Sequence, residues 1–243
     1  MNLIVDVGNS SVKLAVFQES KLLESYSSSI KNFFKKFQEI KKDHPQIAFS
    51  ILSSVIKDTS ELEKILEKQT KLFVLNESTK LPFKNNYASP QTLGKDRLAL
   101  VAAGSLKFQN KNLLVIDAGT CITFDFKNNV NEYLGGAISP GLQMRLKALN
   151  HFTAKLPLVD LDENVPLIGD STQNSILSGV LNGASAELDG IIDRYKADYK
   201  YLTVILTGGD TQILSKRVKN SIFANPNFLL EGLNYILEFN KTQ

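Results

Sequence analysis

One motif occurs twice in this chain, and its repetition constrains the fold more than any other feature of the sequence. An apolar run leads into Asp-x-Gly and a small polar residue, first in Leu3–Ser10 and again in Leu113–Thr120. The carboxylate suits a metal ion, and the glycine allows backbone amides to approach an oxyanion, with a hydroxyl or amide donor beside it. Two such turns facing each other are expected to clamp a nucleotide triphosphate.

The elements predicted around the two turns follow a related order in both halves of the chain. In the first half, apolar periodicity predicts strands at 3–6, 12–17, 22–27, 47–52 and 72–75 and helices at 30–42 and 60–69. In the second half it predicts strands at 113–116, 122–126, 131–138 and 202–206 and helices from 142, over 173–195, after 210 and over 229–239. Both halves follow one β-β-β-α-β-α-β plan.

The domain boundary is predicted from the connection between these halves. A length of 243 residues by itself allows either one large α/β domain or two lobes. After an irregular segment at 81–90, a helix is predicted over Gly94–Phe108, and a linker follows near Lys111. We therefore predict an N-terminal lobe of residues 1–110 and a C-terminal lobe of residues 111–243.

The composition excludes several classes of protein. No apolar run approaches the ~18 residues of a membrane span, and the first residues lack a basic leader, so we expect a cytoplasmic protein. The single Cys121 excludes an internal disulfide, and His44 and His151 have no partners at zinc-ligand spacing. A net charge of +3 is weak evidence for polyanion binding, so we expect neither nucleic acid nor membrane as a partner.

Each Asp-x-Gly turn has two interpretations when it is taken alone. Asp6 ends a buried strand, where a carboxylate is costly unless a cation or hydrogen-bond donors satisfy it. A magnesium ion on a nucleotide would serve, with donors from residues 8–11 and a positive charge from Lys13. The alternative is an Asx-type hairpin turn. Recurrence of the motif at Asp117–Thr120 favours phosphate binding for the pair.

The sequence Gly94-Lys95-Asp96-Arg97 opens a strongly helical segment. A carboxylate beside an arginine fits phosphoryl transfer, which needs a base to orient a hydroxyl and a cation to hold an anionic group. Simple capping of the helix by Asp96 is the alternative. The glycine runs at 135–141 and 207–209 also have two interpretations: close approach of the backbone to a ligand, or a tight corner of the chain. By default, Thr172 only begins a helix.

In this order, the motifs resemble those of the type III pantothenate kinases, members of the actin-like ATPase superfamily. The resemblance extends through nearly the whole chain. It implies an α/β fold of two ribonuclease-H-like lobes, each a mixed five-stranded sheet with flanking helices. It also implies transfer of the γ-phosphoryl group of ATP to the primary hydroxyl of pantothenate, the first step of coenzyme A biosynthesis.

The resemblance further implies a role for particular residues. Asp96 would be the catalytic base, and Asp117 would hold a monovalent cation, potassium or ammonium. ATP with magnesium would be held by Asp6, Val7, Gly8, Asn9, Ser10, Ser11, Val12, Lys13 and Thr120. Pantothenate would be held by Tyr87, Gly94, Lys95, Asp96, Arg97 and Thr172. Family members are commonly homodimers, which would allow a neighbouring subunit to contribute to the pocket.

Two positions depart from the family pattern, and two other functions stay open. Ser10 stands where threonine is usual and Cys121 where alanine is usual, but both side chains remain small. A kinase for another small hydroxyl compound would keep the fold, although the Gly94–Arg97 signature is against it. A non-catalytic transcription accessory protein would need no base beside two phosphate turns, so the three aspartates at 6, 96 and 117 argue against it.

Overall fold

The computed structural model describes residues 1–8, 11–56 and 58–241, which fold into two compact α/β units. The first unit comprises residues 1–109 together with the chain from Asn227 onward, and the second comprises residues 110–226. No helix in the described ranges is both long and apolar enough to cross a membrane.

The strands and helices lie close to the predicted positions. The strands are β1 Asn2–Val7, β2 Val12–Gln18, β3 Lys21–Ser28, β4 Phe49–Ser54, β5 Lys71–Val74, β6 Lys84–Asn85, β7 Leu113–Ala118, β8 Cys121–Lys127, β9 Glu132–Pro140, β10 Thr203–Thr207 and β11 Phe223–Ala224. The helices are α1 Phe33–Asp43, α2 Ser60–Glu67, α3 Lys95–Lys107, α4 Leu142–His151, α5 Thr172–Asp198, α6 Thr211–Ser215 and α7 Phe228–Lys241. The two-residue strands β6 and β11 were not predicted, because such short segments carry no periodic signal.

The sheets of the two units have the same strand order. It is β3-β2-β1-β4-β5 in the first unit, and β9-β8-β7-β10-β11 for the strands of the second. In each sheet the first strand pairs antiparallel with the second and parallel with the fourth. The predicted α/β fold with a mixed sheet in each lobe is therefore confirmed, but the predicted count of five strands holds only for the first sheet, because the second sheet has six.

Strand alternation decides which face of each sheet carries the Asp-x-Gly aspartate. Leu3, Val5 and Val7 pack in one core with side chains of α1 and α2. Because successive side chains point to opposite faces of a strand, Asp6 lies on the other face of the first sheet. In β7 the residues Leu114, Ile116 and Ala118 likewise join the core with α4 and α5, so Asp117 lies on the opposite face of its own sheet.

The last helix corrects the predicted domain boundary. The predicted helix at 229–239 is present as α7, but it belongs to the first unit and not to a lobe of residues 111–243. Asn2 Nδ2 on β1 donates to Asn234 Oδ1 on α7 at 2.7 Å, and Asn234 Nδ2 donates to the Glu19 carbonyl at 2.7 Å. The apolar periodicity of a helix shows that one face is buried, but it does not show which sheet buries it.

Candidate active site

The first Asp-x-Gly turn joins β1 to β2. The backbone N–H of Gly8 donates to the Ser11 carbonyl at 3.0 Å and closes the turn. Asn9 and Ser10, both predicted to contact ATP, lie outside the described residues. In register, Asp6 stands between Lys13 on β2 and Ser53 on β4. Ser53 was not predicted, because only the parallel pairing of β1 with β4 brings it beside Asp6.

The environment of Asp6 is unfavourable to an unpaired negative charge. Its side chain is buried, and this burial raises the pKa of Asp6 to about 6. Lys13 opposes this rise in pKa, whereas the negative charge of Asp96 adds to it. Asp96 therefore lies near enough to Asp6 for the two carboxylates to repel each other, and a cation beside them would relieve that repulsion.

Asp96 lies in the first turn of α3. Its Oδ1 accepts a hydrogen bond from the Arg97 backbone N–H at 2.8 Å, so the carboxylate folds back over the start of the helix. Gly94 is the residue preceding α3, and a Cβ there would lie 2.3 Å from Asp96 Oδ1. Gly94 therefore leaves the space that the Asp96 carboxylate occupies.

Arg97 and Tyr87 form one cluster with this helix start. Arg97 is only 5% exposed, and its guanidinium carbon lies 5.6 Å from the centroid of the Tyr87 ring. The Tyr87 backbone N–H donates to Asn85 Oδ1 at 3.0 Å. A buried guanidinium held against an aromatic face suits an anionic substrate group. The first unit thus brings together five of the six predicted pantothenate residues: Tyr87, Gly94, Lys95, Asp96 and Arg97.

The second Asp-x-Gly turn has hydroxyl-bearing neighbours. In register, Asp117 on β7 stands between Thr123 on β8 and Thr207 on β10. The Gly119 backbone N–H donates to the Cys121 carbonyl at 2.9 Å, and Thr120 beside it is exposed. Asp117 is partly buried. An oxygen-rich setting of this kind suits a hard cation.

Two glycines pack directly against the second turn. Gly208 has a φ of +96°, and a Cβ on it would lie 2.3 Å from Asp117 Oδ1. A Cβ on Gly141 would lie 2.2 Å from the Gly119 carbonyl oxygen. From the sequence alone, these glycine runs had two interpretations, close approach to a ligand or a tight corner of the chain. The geometry shows that both glycines permit contact between the protein's own segments.

Thr172, the remaining predicted pantothenate residue, belongs to the second unit. It is the exposed first residue of α5, after Ser171, whose hydroxyl accepts from the Asn174 backbone N–H at 3.2 Å. Thr172 lines an open cavity of about 740 Å³ together with Leu156, Gly169 and residues of α5. Its environment is therefore a surface of the second unit.

Similarity to known proteins identifies the chemistry. The family model for type III pantothenate kinase matches residues 2–194. A type III pantothenate kinase of Christiangramia forsetii is 57% identical over 243 residues, which cover all of both chains. This chain belongs to the type III pantothenate kinase family. As a member, it catalyses ATP-dependent phosphorylation of pantothenate in coenzyme A biosynthesis, and its chemistry uses ATP with a divalent metal ion.

Solved structures support the fold. A Campylobacter jejuni protein, provisionally described as a Baf family transcriptional activator, aligns with a TM-score of 0.66 at 22% identity, covering 99% of this chain and all of that one. A hexokinase of the ROK class from Thermus thermophilus aligns with a TM-score of 0.51 at 13% identity, covering 98% and 99% of the two chains. At these identities the likeness concerns the fold alone. Pantothenate kinase membership therefore rests on the sequence comparisons.

Proposed function

We propose that the kinase reaction takes place at the start of α3, with Asp96 as the general base for the pantothenate hydroxyl. The observation that carries this assignment is the position of the Asp96 carboxylate in the first turn of α3, next to the buried Arg97, and the contribution of its charge to the raised pKa of Asp6 supports it. Phosphoryl transfer depends mainly on alignment and charge stabilisation, so one positioned carboxylate is sufficient to orient the hydroxyl. Asp96 accepts the hydroxyl proton as the bond from the hydroxyl oxygen to the γ-phosphorus forms, while the bond from the γ-phosphorus to the β,γ-bridging oxygen breaks and ADP leaves.

Arg97, Tyr87, Gly94 and Lys95 form the proposed pantothenate side of the reaction. Pantothenate carries a carboxylate, and the buried Arg97 guanidinium matches that group in charge and planarity. The Tyr87 ring beside Arg97 restricts the orientation of the guanidinium. Gly94 leaves room for the Asp96 carboxylate, and Lys95 adds a positive charge at the same helix start.

The first turn is proposed to bind ATP through residues 6–13, of which Asn9 and Ser10 lie outside the described residues. A magnesium ion fits this turn, because the buried Asp6 carboxylate gains a counter-charge from it. Among the residues that the structure describes, no cluster of three or more carboxylate, histidine or cysteine side chains forms a metal cage. A magnesium ion held mainly by nucleotide phosphates needs no such cage, and it would neutralise charge on the transferring phosphoryl group.

The second turn is proposed to bind a monovalent cation and the ATP phosphates. Asp117 supplies one negative charge between two threonine positions, Thr123 and Thr207, whose hydroxyl and carbonyl oxygens suit potassium or ammonium. Thr120, exposed at the tip of the turn, is the proposed phosphate contact.

The proposed assembly is a homodimer in the cytoplasm. Leu167 and Ile168, before the start of α5, are 79% and 83% exposed, and these apolar side chains favour burial against a second copy. In a dimer, Thr172 of one subunit would complete the pantothenate pocket of its neighbour. If this is correct, Ile168→Asp should lower the mass measured by light scattering from that of two chains to that of one.

A coupled assay of ADP release tests the proposed function. Purified enzyme, ATP and magnesium should release ADP only when pantothenate is added, and potassium should increase the rate. A panel of other small hydroxyl compounds at the same concentration serves as the matched control. Equal ADP release from another acceptor, or release that is independent of pantothenate, would contradict the proposal.

A further inference from the structure

The last helix of the chain packs unusually closely against the helix that carries Asp96. A Cβ added to Gly232 on α7 would lie 1.8 Å from the Ala99 carbonyl oxygen of α3, and 2.6 Å from the Ala99 carbonyl carbon. Because these are backbone atoms, no rotamer change can relieve such a contact. Any side chain at 232 must therefore separate the two helices.

On its other side, α7 is held to the first sheet by polar contacts. Asn2 Nδ2 on β1 donates to Asn234 Oδ1 at 2.7 Å and to Glu238 Oε1 at 2.6 Å. Lys241 Nζ donates to Glu238 Oε1 at 2.8 Å, and it lies 4.2 Å from the centroid of the Phe49 ring on β4. The helix is thus attached to the two strands that hold Asp6 and Ser53.

The start of α3 carries Asp96 and Arg97. It follows the largely irregular segment 76–94, whereas α7 is attached by these contacts to the central strands. Ala99 comes one turn of helix after Asp96, so a displacement at Ala99 moves Asp96 and Arg97 as well. A separation of α3 from α7 therefore changes where the proposed base lies relative to Asp6.

We propose that Gly232 is a positioning residue for catalysis: by permitting backbone contact with Ala99, it sets α3, and with it Asp96 and Arg97, at the working distance from the first phosphate turn. This inference rests on the proposed roles of Asp96 and Arg97. It assigns α7, which lies beyond residue 194, the last residue matched by the family model, to the support of the active site.

The decisive experiment compares Gly232→Ala with the wild-type enzyme. A displacement of the base on the ångström scale should lower kcat by about 10- to 100-fold and raise the KM for pantothenate. The KM for ATP should stay within about twofold, since the first phosphate turn is not displaced. Hydrogen exchange should become faster in residues 94–100.

Asn234→Ala is the matched control on the same helix. It removes the hydrogen bonds to Asn2 and Glu19, so it should lower the melting temperature, but it adds no group between α3 and α7. We expect its kcat and its exchange at residues 94–100 to match the wild-type protein. Equal loss of kcat in both variants would show that general destabilisation is responsible, and would overturn the proposal.

A charge reversal keeps the test decisive if Gly232→Ala does not fold. Lys107 Nζ of α3 lies 2.6 Å from Glu231 Oε2 of α7, next to Gly232. Lys107→Glu should repel α7 and lower kcat by a few-fold, and the double exchange Lys107→Glu with Glu231→Lys should restore it. If Gly232→Ala folds and its kcat is unchanged, the proposal is overturned. If Gly232→Ala does not fold, an unchanged kcat in Lys107→Glu overturns the proposal.

Asp96→Asn, assayed in parallel, separates this inference from the proposed function. If Asp96→Asn keeps full turnover, the proposed base is wrong, and exchange at residues 94–100 still decides whether Gly232 positions α3. If Asp96→Asn is inactive while Gly232→Ala is normal in kinetics and exchange, the proposed function stands and the role of Gly232 is rejected.

Discussion

The two Asp-x-Gly turns occupy equivalent places in sheets of the same strand order, but their neighbours differ. Asp6 is buried and stands beside a lysine and a serine, with a second carboxylate, Asp96, within electrostatic range. Asp117 is only partly buried and stands between two threonines, with the backbone of Gly208 pressed against it. One backbone motif therefore presents its carboxylate in two electrostatic environments.

This difference teaches that a repeated motif does not imply a repeated role. The first turn combines a cationic side chain, a pKa raised by burial and the proposed base, a setting suited to a strongly charged nucleotide with its metal ion. The second turn offers a partly buried carboxylate between two threonine positions, which suits a weakly held monovalent cation. Four predictions test whether the two turns are as different in function as in their surroundings.

The largest effect is expected for Asp96→Asn, which removes the proposed general base. Turnover should fall by ~100-fold or more, because a general base typically contributes that much, whereas the fold should be retained. Steady-state kinetics of ADP release and a thermal melt measure the two quantities. Asp43→Asn changes an exposed aspartate at the end of α1, so it is the matched control and should retain most of the turnover. Full activity in Asp96→Asn would remove the functional distinction between the turns.

The next effect compares Gly8 of the first turn with Gly208, which packs against the second turn. Gly208→Ala places a Cβ 2.3 Å from Asp117 Oδ1 at a φ of +96°, so it should destabilise the protein by about 2 kcal/mol or more. Gly8→Ala brings a Cβ only to 3.4 Å from the Ser11 carbonyl, and its cost should be well under 1 kcal/mol. Chemical denaturation of both variants measures the difference. Similar costs would mean that the second turn relaxes easily.

A third prediction follows from the pKa of Asp6, which is about 6 compared with 3.8 for an ordinary aspartate. Because the folded pKa is raised, the folded state favours protonated Asp6, and this contribution to stability is lost as pH rises through about 6. Asp6→Asn should therefore stabilise the ligand-free protein by about 1 to 2 kcal/mol near neutral pH and by almost nothing below about pH 4. Denaturation at both pH values measures this, and a gain that does not depend on pH would contradict it.

The smallest effect on turnover is expected for Asp117→Asn. Without the carboxylate, the potassium concentration needed for half-maximal activation should rise by roughly tenfold or more, while saturating potassium restores much of the rate. Titrations with potassium, with ammonium and with sodium as the control measure this activation. If Asp117→Asn keeps the potassium dependence of the wild-type enzyme, the cation lies elsewhere.

Local sequence patterns were sufficient to predict most of the elements that build the site. The apolar runs at 3–6 and 113–116 are central strands, and the segment opened by Gly94 is α3, because strand and helix periodicity are visible over a few residues. The positions of Asp6, Asp96 and Asp117 at the ends of these elements followed directly from the pattern. The mixed sheet of each lobe was implied by resemblance to the family.

The tertiary structure alone decided which residues are neighbours. The sequence did not reveal Ser53 beside Asp6, because that pairing depends on β4 lying parallel to β1. Nor did it place α7 in the first unit or bring Gly232 against Ala99, since an amphipathic helix does not specify the surface that covers it. The repeated motifs along the chain determined the family and the chemical groups, whereas long-range packing determined the neighbours of each aspartate and the burial that raises the pKa of Asp6.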